Sequence, residues 1–288
     1  MAAETPTLPG SRLHVPGSLQ QVTKLARYQL REYLRSRRFV ALAGIVLAIG
    51  AILTAVVAHF RGAIVSTNLA FYGSFWGGGV DIVIVLAAVF FGGDAIAGEF
   101  QNKTGYFLMG LPVKRTTVYV GKFIAAYLAA VAMLLLFLGI LLANGAYYFQ
   151  GGALPWQLGL SLVLALVYLS AVMGATFLFS SLFKTSAYGF VLTAILFLFG
   201  FTLLEDLITG LVKIEPWMII SYAESTIGAV FSPNINWGLT AAISTTTVGR
   251  FSMTTYTSGI AEGIVIMLAY LFLAALAGLL LFQREEFT

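Results

Sequence analysis

The chain has 288 residues, of which 59% are hydrophobic and only 10% charged, with a formal net charge of +4. Soluble domains carry about a quarter charged residues, so this composition belongs to an integral membrane protein. With no cysteine and only His14 and His59, disulfides and thiolate chemistry are excluded, and a histidine-built metal site is not expected.

Residues 1–17 are rich in Pro, Gly, Thr and Ser and are expected to form a disordered tail. No cleavable signal peptide is expected, because the first apolar run begins only at Phe39, behind a long basic stretch. Over 18–38 the pattern is helical. Leu19, Val22, Ala26, Leu30, Tyr33 and Leu34 share an arc of roughly 120°, and Lys24, Arg27, Arg31, Arg35 and Arg38 share an arc of roughly 80° beside it. Such a helix would lie on the membrane with its cations toward anionic headgroups. A solvated juxtamembrane coil is the plainer alternative.

Six apolar spans follow, at 39–60, 72–93, 119–147, 158–183, 187–207 and 260–282. Each is long enough for a helix to cross the bilayer, and none alternates as a barrel strand would. The expected fold is an all-α polytopic membrane protein of six transmembrane helices, preceded by the interfacial helix. Between the second and third spans, 94–122 mixes Asp94 and Glu99 with Lys103, Lys114, Arg115 and Lys122, broken by Gly98, Gly105, Gly110 and Pro112. Placing the N-terminal segment, this loop, Lys184 and Arg284 on one side collects thirteen of the 16 cations there, leaving Arg61, Lys213 and Arg250 opposite. By the positive-inside rule both termini are then cytoplasmic. Trp76, Trp156, Trp217 and Trp237 would fall near the outer interface or in outer loops, which suits an aromatic belt, and Asn144 in a turn before Trp156. In the outer connection, 208–259, Pro216 and Pro233 are expected to open short helices over 217–223 and 235–243. A plain extracellular loop is the alternative.

Intramembrane chemistry is sparse. Between Lys122 and Lys184, across the third and fourth spans, there is no acidic, basic or histidine side chain, so no hydrolase constellation can form there. Asp81, just after Gly77-Gly78-Gly79, is a possible pathway carboxylate, or a hydrated residue lining an outer vestibule. Glu205 and Asp206 sit at the outer end of the fifth span, and Glu262 opens the sixth, where the helix dipole favours it. No phosphate-binding G-x-x-x-x-G-K-[ST] loop is present, so nucleotide energy would have to come from another chain.

That directs attention back to 94–122. Its order is Glu99, then Lys103-Thr104-Gly105, then Leu111-Pro112-Val113-Lys114-Arg115, then Gly121-Lys122. This resembles the permease subunits of ABC-2 type ABC transporters, with Thr-Gly standing where the family has Gly-Thr. The basic lead-in, the six spans, the long outer connection and the short tail after residue 282 fit the same resemblance.

The resemblance implies a non-catalytic permease in the cell membrane that pairs with a second permease, identical or homologous, and with two cytoplasmic ATPases. Cofactors would be none in this chain, with ATP and Mg on the ATPases; no nucleic-acid partner is expected. The segment 94–122 would hold the coupling helix and 18–38 the connecting helix. Cargo would be hydrophobic or amphipathic and the direction export. Glu99 and Lys103 stand four apart in the favourable acid-to-base order for one helical turn. Three other readings stay open: a stand-alone secondary transporter or channel using Asp81, a membrane scaffold, and a self-satisfied surface loop at 94–122.

Overall fold

The computed structural model describes residues 17–101, 113–150, 152, 154–183, 185–248 and 251–284. Helix α1 (Ser18–Arg35) ends where Ser36 turns extended; the Ser36 hydroxyl donates to the Tyr33 carbonyl at 2.7 Å and accepts from the Phe39 N–H at 3.1 Å. One serine thus stops α1 and caps α2 (Arg37–His59). Arg38, expected to close α1, instead belongs to the first turn of α2.

The second span, Asn68–Gln101, is interrupted. It follows the short α3 (Arg61–Ile64) and comprises α4 (Asn68–Gly77), α5 (Val80–Gly92) and α6 (Ala97–Gln101). Helix α4 begins on the Thr67 hydroxyl, which accepts from Ala70 N–H at 3.1 Å. The α4–α5 break is at Gly78 and Gly79, and a Cβ on Gly79 would lie 2.9 Å from the Phe137 ring and 3.0 Å from Leu53. The remaining spans are α7 (Arg115–Phe149), α8 (Trp156–Leu182), α9 (Ser186–Gly210) and α11 (Ile260–Arg284). Helix α9 widens into π-helical turns at Leu196–Gly200 and Ile208–Val212. Among the described residues, six helices are therefore long and apolar enough to cross a membrane.

The core lies among α5, α7 and α8. Helix α7 contributes a small-residue stripe, Ala125, Ala126, Ala129 and Ala130, followed by Met133 and Phe137, all buried. Small residues permit close helix approach in a bilayer, where apolar burial alone drives little association. The same logic joins α8 to α11. A Cβ on Gly174 would meet the Leu271 backbone at 3.2 Å, and one on Gly278 would meet the Leu178 backbone at 3.1 Å. Helices α2, α9 and α11 form the periphery and turn apolar side chains such as Ile52, Phe199 and Phe272 outward.

Three expectations change here. Trp76 is fully buried and stacks on Phe137, whereas Trp156, Trp217 and Trp237 are exposed, so Trp76 serves packing instead of an aromatic belt. Asn144 lies within α7 and donates to Thr54 of α2 at 3.0 Å, an interhelical hydrogen bond and not a turn contact. In the 208–259 connection Pro216 leads into a turn at 217–218 and the first short helix starts only after it, as α10 (Ile220–Ala229), and 235–243 is not helical. There the Asn236 side chain accepts from Gly238 N–H and donates to the Thr240 carbonyl, competing with helical bonding. The β-branched run beyond it pairs as an antiparallel hairpin of β1 (Ala242–Val248) and β2 (Phe251–Thr257), with Ala242 opposite Thr257 and Val248 opposite Phe251.

Candidate functional site

Asp94, Glu99 and Lys122 of the 94–122 segment are drawn into a knot where five of the six spans and α1 meet. Asp94 follows directly on α5 and pairs with Arg38 of α2. Beyond it the chain turns, and the buried Ser180 hydroxyl of α8 accepts from the backbone N–H groups of both Ile96 and Ala97, at 3.1 Å each. These are orphan donors at the start of α6, so Ser180 acts as a helix cap supplied from another span. At the other end of α6, the Gln101 side chain accepts from Ser186 N–H at 2.9 Å, tying α6 to the first residue of α9.

Lys122 lies inside the knot and is 5% exposed. Its ammonium donates to the Ala95 carbonyl at 2.8 Å and pairs with Glu99 of α6. A buried ammonium needs such partners, because desolvation otherwise costs several kcal/mol. Next to it, a Cβ on Gly121 would fall 2.7 Å from the Leu25 side chain of α1. The Gly121-Lys122 pair thus lets α1 sit against α7 and anchors α6 to α7. Arg115 opens α7 and donates to the Gln283 carbonyl of α11 at 2.8 Å, while Lys114 at the α7 N-cap is exposed. Lys103, Thr104, Gly105 and Pro112 lie outside the described residues, as does Lys184.

Helix α1 faces this knot through Val22, Leu25, Ala26, Leu30 and Tyr33, leaving Leu19 and Leu34 exposed together with Lys24, Arg27, Arg31 and Arg35. Tyr33 packs on Phe91 of α5, with ring centroids 5.4 Å apart. Burial, and then the nearby Asp94 carboxylate, push its hydroxyl pKa upward, so it stays neutral.

The opposite end of the bundle is acidic. Asp81 is half-buried in the first turn of α5. Glu224 of α10 lies beside the buried Tyr168 of α8, and the charges of Asp81 and Glu205 act on it. Burial first, and those two charges second, push the Glu224 carboxyl up to about 8. Ser221 donates to Glu205 at 2.6 Å, and Tyr222 donates its one hydroxyl proton to Glu215 at 2.6 Å, with Glu262 3.2 Å from the same oxygen. Glu262 also accepts from Gly259 N–H at 3.2 Å, in keeping with its place at a helix start. Among the described residues, no group of His, Asp and Glu side chains is arranged to hold a metal ion.

Set against known families, residues 32–200 match the sequence model of the ABC-2 family transporter proteins, over more than half of the chain. The chain belongs to that family. It is thus a multi-pass membrane component of an ABC transporter, a non-catalytic permease type whose kind works with an ABC ATPase subunit. No curated protein matches it.

In this ABC-2 chain the matched region runs from the end of α1 into α9 and contains the whole 94–122 segment. The structure brings together Asp94 with Arg38 and Glu99 with Lys122, and sets Gly121 against Leu25 of α1; it leaves Lys114 on the surface. Asp81 stands at the far, acidic end. The sequence reading missed Ser180, whose signal was a serine pair, Ser180-Ser181, at the end of an otherwise apolar span. It also missed Glu224, a lone acid in a short Pro-initiated segment.

Proposed function

We propose that the knot around α6 is the element through which a separate cytoplasmic ATPase moves this permease. The observation that carries the reading is the clamping of α6. Ser180 holds its start, Lys122 its middle and Gln101 its end, each from or to a different span. A push on α6 would therefore be delivered to α7, α8 and α9 together as rigid-body motion and not absorbed in a loop. In this reading the basic end and both termini face the cytoplasm, and two ATPases carry the ATP and Mg. A second permease, identical or homologous, completes the pathway. The cargo is a hydrophobic or amphipathic solute, exported by alternating access. Helix α1 is the connecting helix: Leu19 and Leu34 remain available to the bilayer beside its basic face.

The purified chain alone is expected to hydrolyse no ATP, and to co-purify with a P-loop ATPase encoded beside it when the two are co-expressed. ATP turnover by the lone chain would overturn the assignment. The grouping of Asp81, Glu205 and Glu224 favours one second reading, ion-driven transport through the acidic end. That reading requires gradient-driven flux in liposomes without ATP, lost on Asp81→Asn.

A further inference from the structure

Of the three spans to which α6 is clamped, α7 and α8 belong to the core and α9 alone lies at the periphery. Its buried contact with the bundle is one narrow seam, Gly189, Thr193 and Phe197, at every fourth position. Beyond Phe197 no described side chain of α9 is buried. The tightest point is a crossing of backbones. A Cβ on Gly189 would lie 2.7 Å from the Gly93 carbonyl at the end of α5, and one on Gly93 would lie 3.1 Å from the Phe190 Cα. Beside that crossing the Phe190 ring packs edge-on against Phe90, with centroids 5.3 Å apart.

The crossing divides α9 unequally. Ser186, tied to α6 by Gln101, stands three residues from Gly189 toward the basic end, about 4 Å along the axis. Glu205 stands sixteen residues from Gly189 toward the acidic end, about 24 Å along the axis. It accepts from Ser221 of α10 at 2.6 Å, and just past α9 the Lys213 carbonyl accepts from Tyr256 of β2 at 2.8 Å. Between these ends the helix widens at Leu196–Gly200 but does not break, because the Phe201 N–H still bonds the Leu196 carbonyl. The far end of α10 is held elsewhere: Ser161 of α8 donates to the Ile227 carbonyl at 2.6 Å.

We propose that α9 is a lever, with Gly93 and Gly189 as positioning residues at its pivot, and that the ATPase stroke on α6 swings its long arm against α10. The proposal rests on the ATPase-driven reading given above and deepens it by naming the span that moves. A small displacement at Ser186 becomes one about 5-fold larger at Glu205, in the ratio of the two arms. At the pivot two glycines let the backbones touch, so no side chains interlock there to oppose a turn. The swing acts on the start of α10 at Ser221 while Ile227 stays on α8, and the motion is delivered at the acidic end. A slide of the whole helix along its axis fits less well, because the Phe190–Phe90 contact would have to break.

The test uses the full chain assembled with its co-expressed ATPase in nanodiscs, the labelled chain being diluted into unlabelled copies. Spin labels go on Leu203→Cys of the long arm and on Tyr188→Cys beside the pivot, both exposed positions. Each is paired in turn with Trp156→Cys of α8 and with Leu135→Cys of α7, also exposed. Spin–spin distances are read without nucleotide and after trapping with ATP and vanadate. At least one Leu203 distance is expected to change by several ångströms, about 5-fold or more beyond either Tyr188 distance. Equal shifts at the two labels, or a still Leu203 in a complex that traps nucleotide, would overturn the lever alone. A chain that assembles with no ATPase would overturn both the lever and the reading beneath it. Gly189→Ala, whose Cβ would press on the Gly93 carbonyl, should lose most of the Leu203 shift while nucleotide trapping persists. A full Leu203 shift in that variant would contradict the pivot. If the variant does not fold, the distances in the chain with both glycines decide the matter.

Discussion

Lys122→Met should destabilise the basic end of the bundle by about 3–5 kcal/mol and uncouple ATP hydrolysis from transport. The residue is buried, and its ammonium holds both the Ala95 carbonyl and the Glu99 carboxylate. Methionine keeps the length and the apolar stem but leaves Glu99 with a charge whose side chain is only 16% exposed. Removing one partner of a buried pair costs more than removing both, because the remaining charge keeps its desolvation penalty. The double variant Lys122→Met/Glu99→Gln should therefore recover part of the loss. Membrane insertion should be intact in both, since neither change adds a charge to a span. Thermal midpoints of the detergent-purified complex, read beside its ATPase rate, check this. A wild-type midpoint for Lys122→Met, or a double variant as weak as the single one, would show that the pair holds nothing in place.

Stability at the acidic end should fall as pH rises, and Glu224→Gln should flatten that dependence. Burial first, and the Asp81 and Glu205 charges next, raise the Glu224 carboxyl from 4.5 to about 8. Between those values the folded chain keeps a proton that the unfolded chain has released. The stabilisation is thus full below the unfolded value, declines as pH rises and is gone once pH passes the folded value. Across that window the change is on the order of a few kcal/mol. The groups around Glu224 are Tyr168 of α8, Asp81 of α5 and Glu205 of α9. Deprotonation would place a third negative charge among them and loosen α10 from α8. Melting curves from about pH 6 to about pH 9 should show a falling midpoint for the wild type and a nearly level one for Glu224→Gln. A wild-type midpoint that rises over the same range would contradict the placement of this carboxyl.

The spans were legible because length and hydropathy alone specify a crossing helix, and each of the six regions expected from sequence overlaps one of the six in the structure, within a few residues at most ends. The special character of 94–122 was legible too, since charge and breakers between apolar runs need no tertiary information. What its charges do was not. Lys122 reads in sequence as a loop cation beside Gly121, yet it is buried by α1 and α6 packing around it. Ser180 is one serine among many until the fold aims its hydroxyl at two N–H groups 83 and 84 residues away. Trp76 went astray for a related reason: its span is interrupted at Gly78 and Gly79, and α4 is then enclosed by neighbours instead of lying at the lipid edge. The hairpin after Asn236 was missed because Pro233 was read as a helix start, whereas the Thr-rich segment beyond it favours extended backbone. Gly121 stands in the sequence only as the partner of Lys122 in the Gly121-Lys122 step, and its missing Cβ makes room for Leu25.

The absence of native cysteine makes the central claim directly testable. A single cysteine at Lys114, exposed beside the clamped knot, and another at Arg61, at the acidic end, can each be treated with a short thiol cross-linker in membranes containing the co-expressed ATPase. Cross-linking of Lys114→Cys to the ATPase, with none from Arg61→Cys, is the expected result. An assembled, active complex that cross-links from Arg61→Cys and never from Lys114→Cys would place the energy input at the wrong end of the molecule.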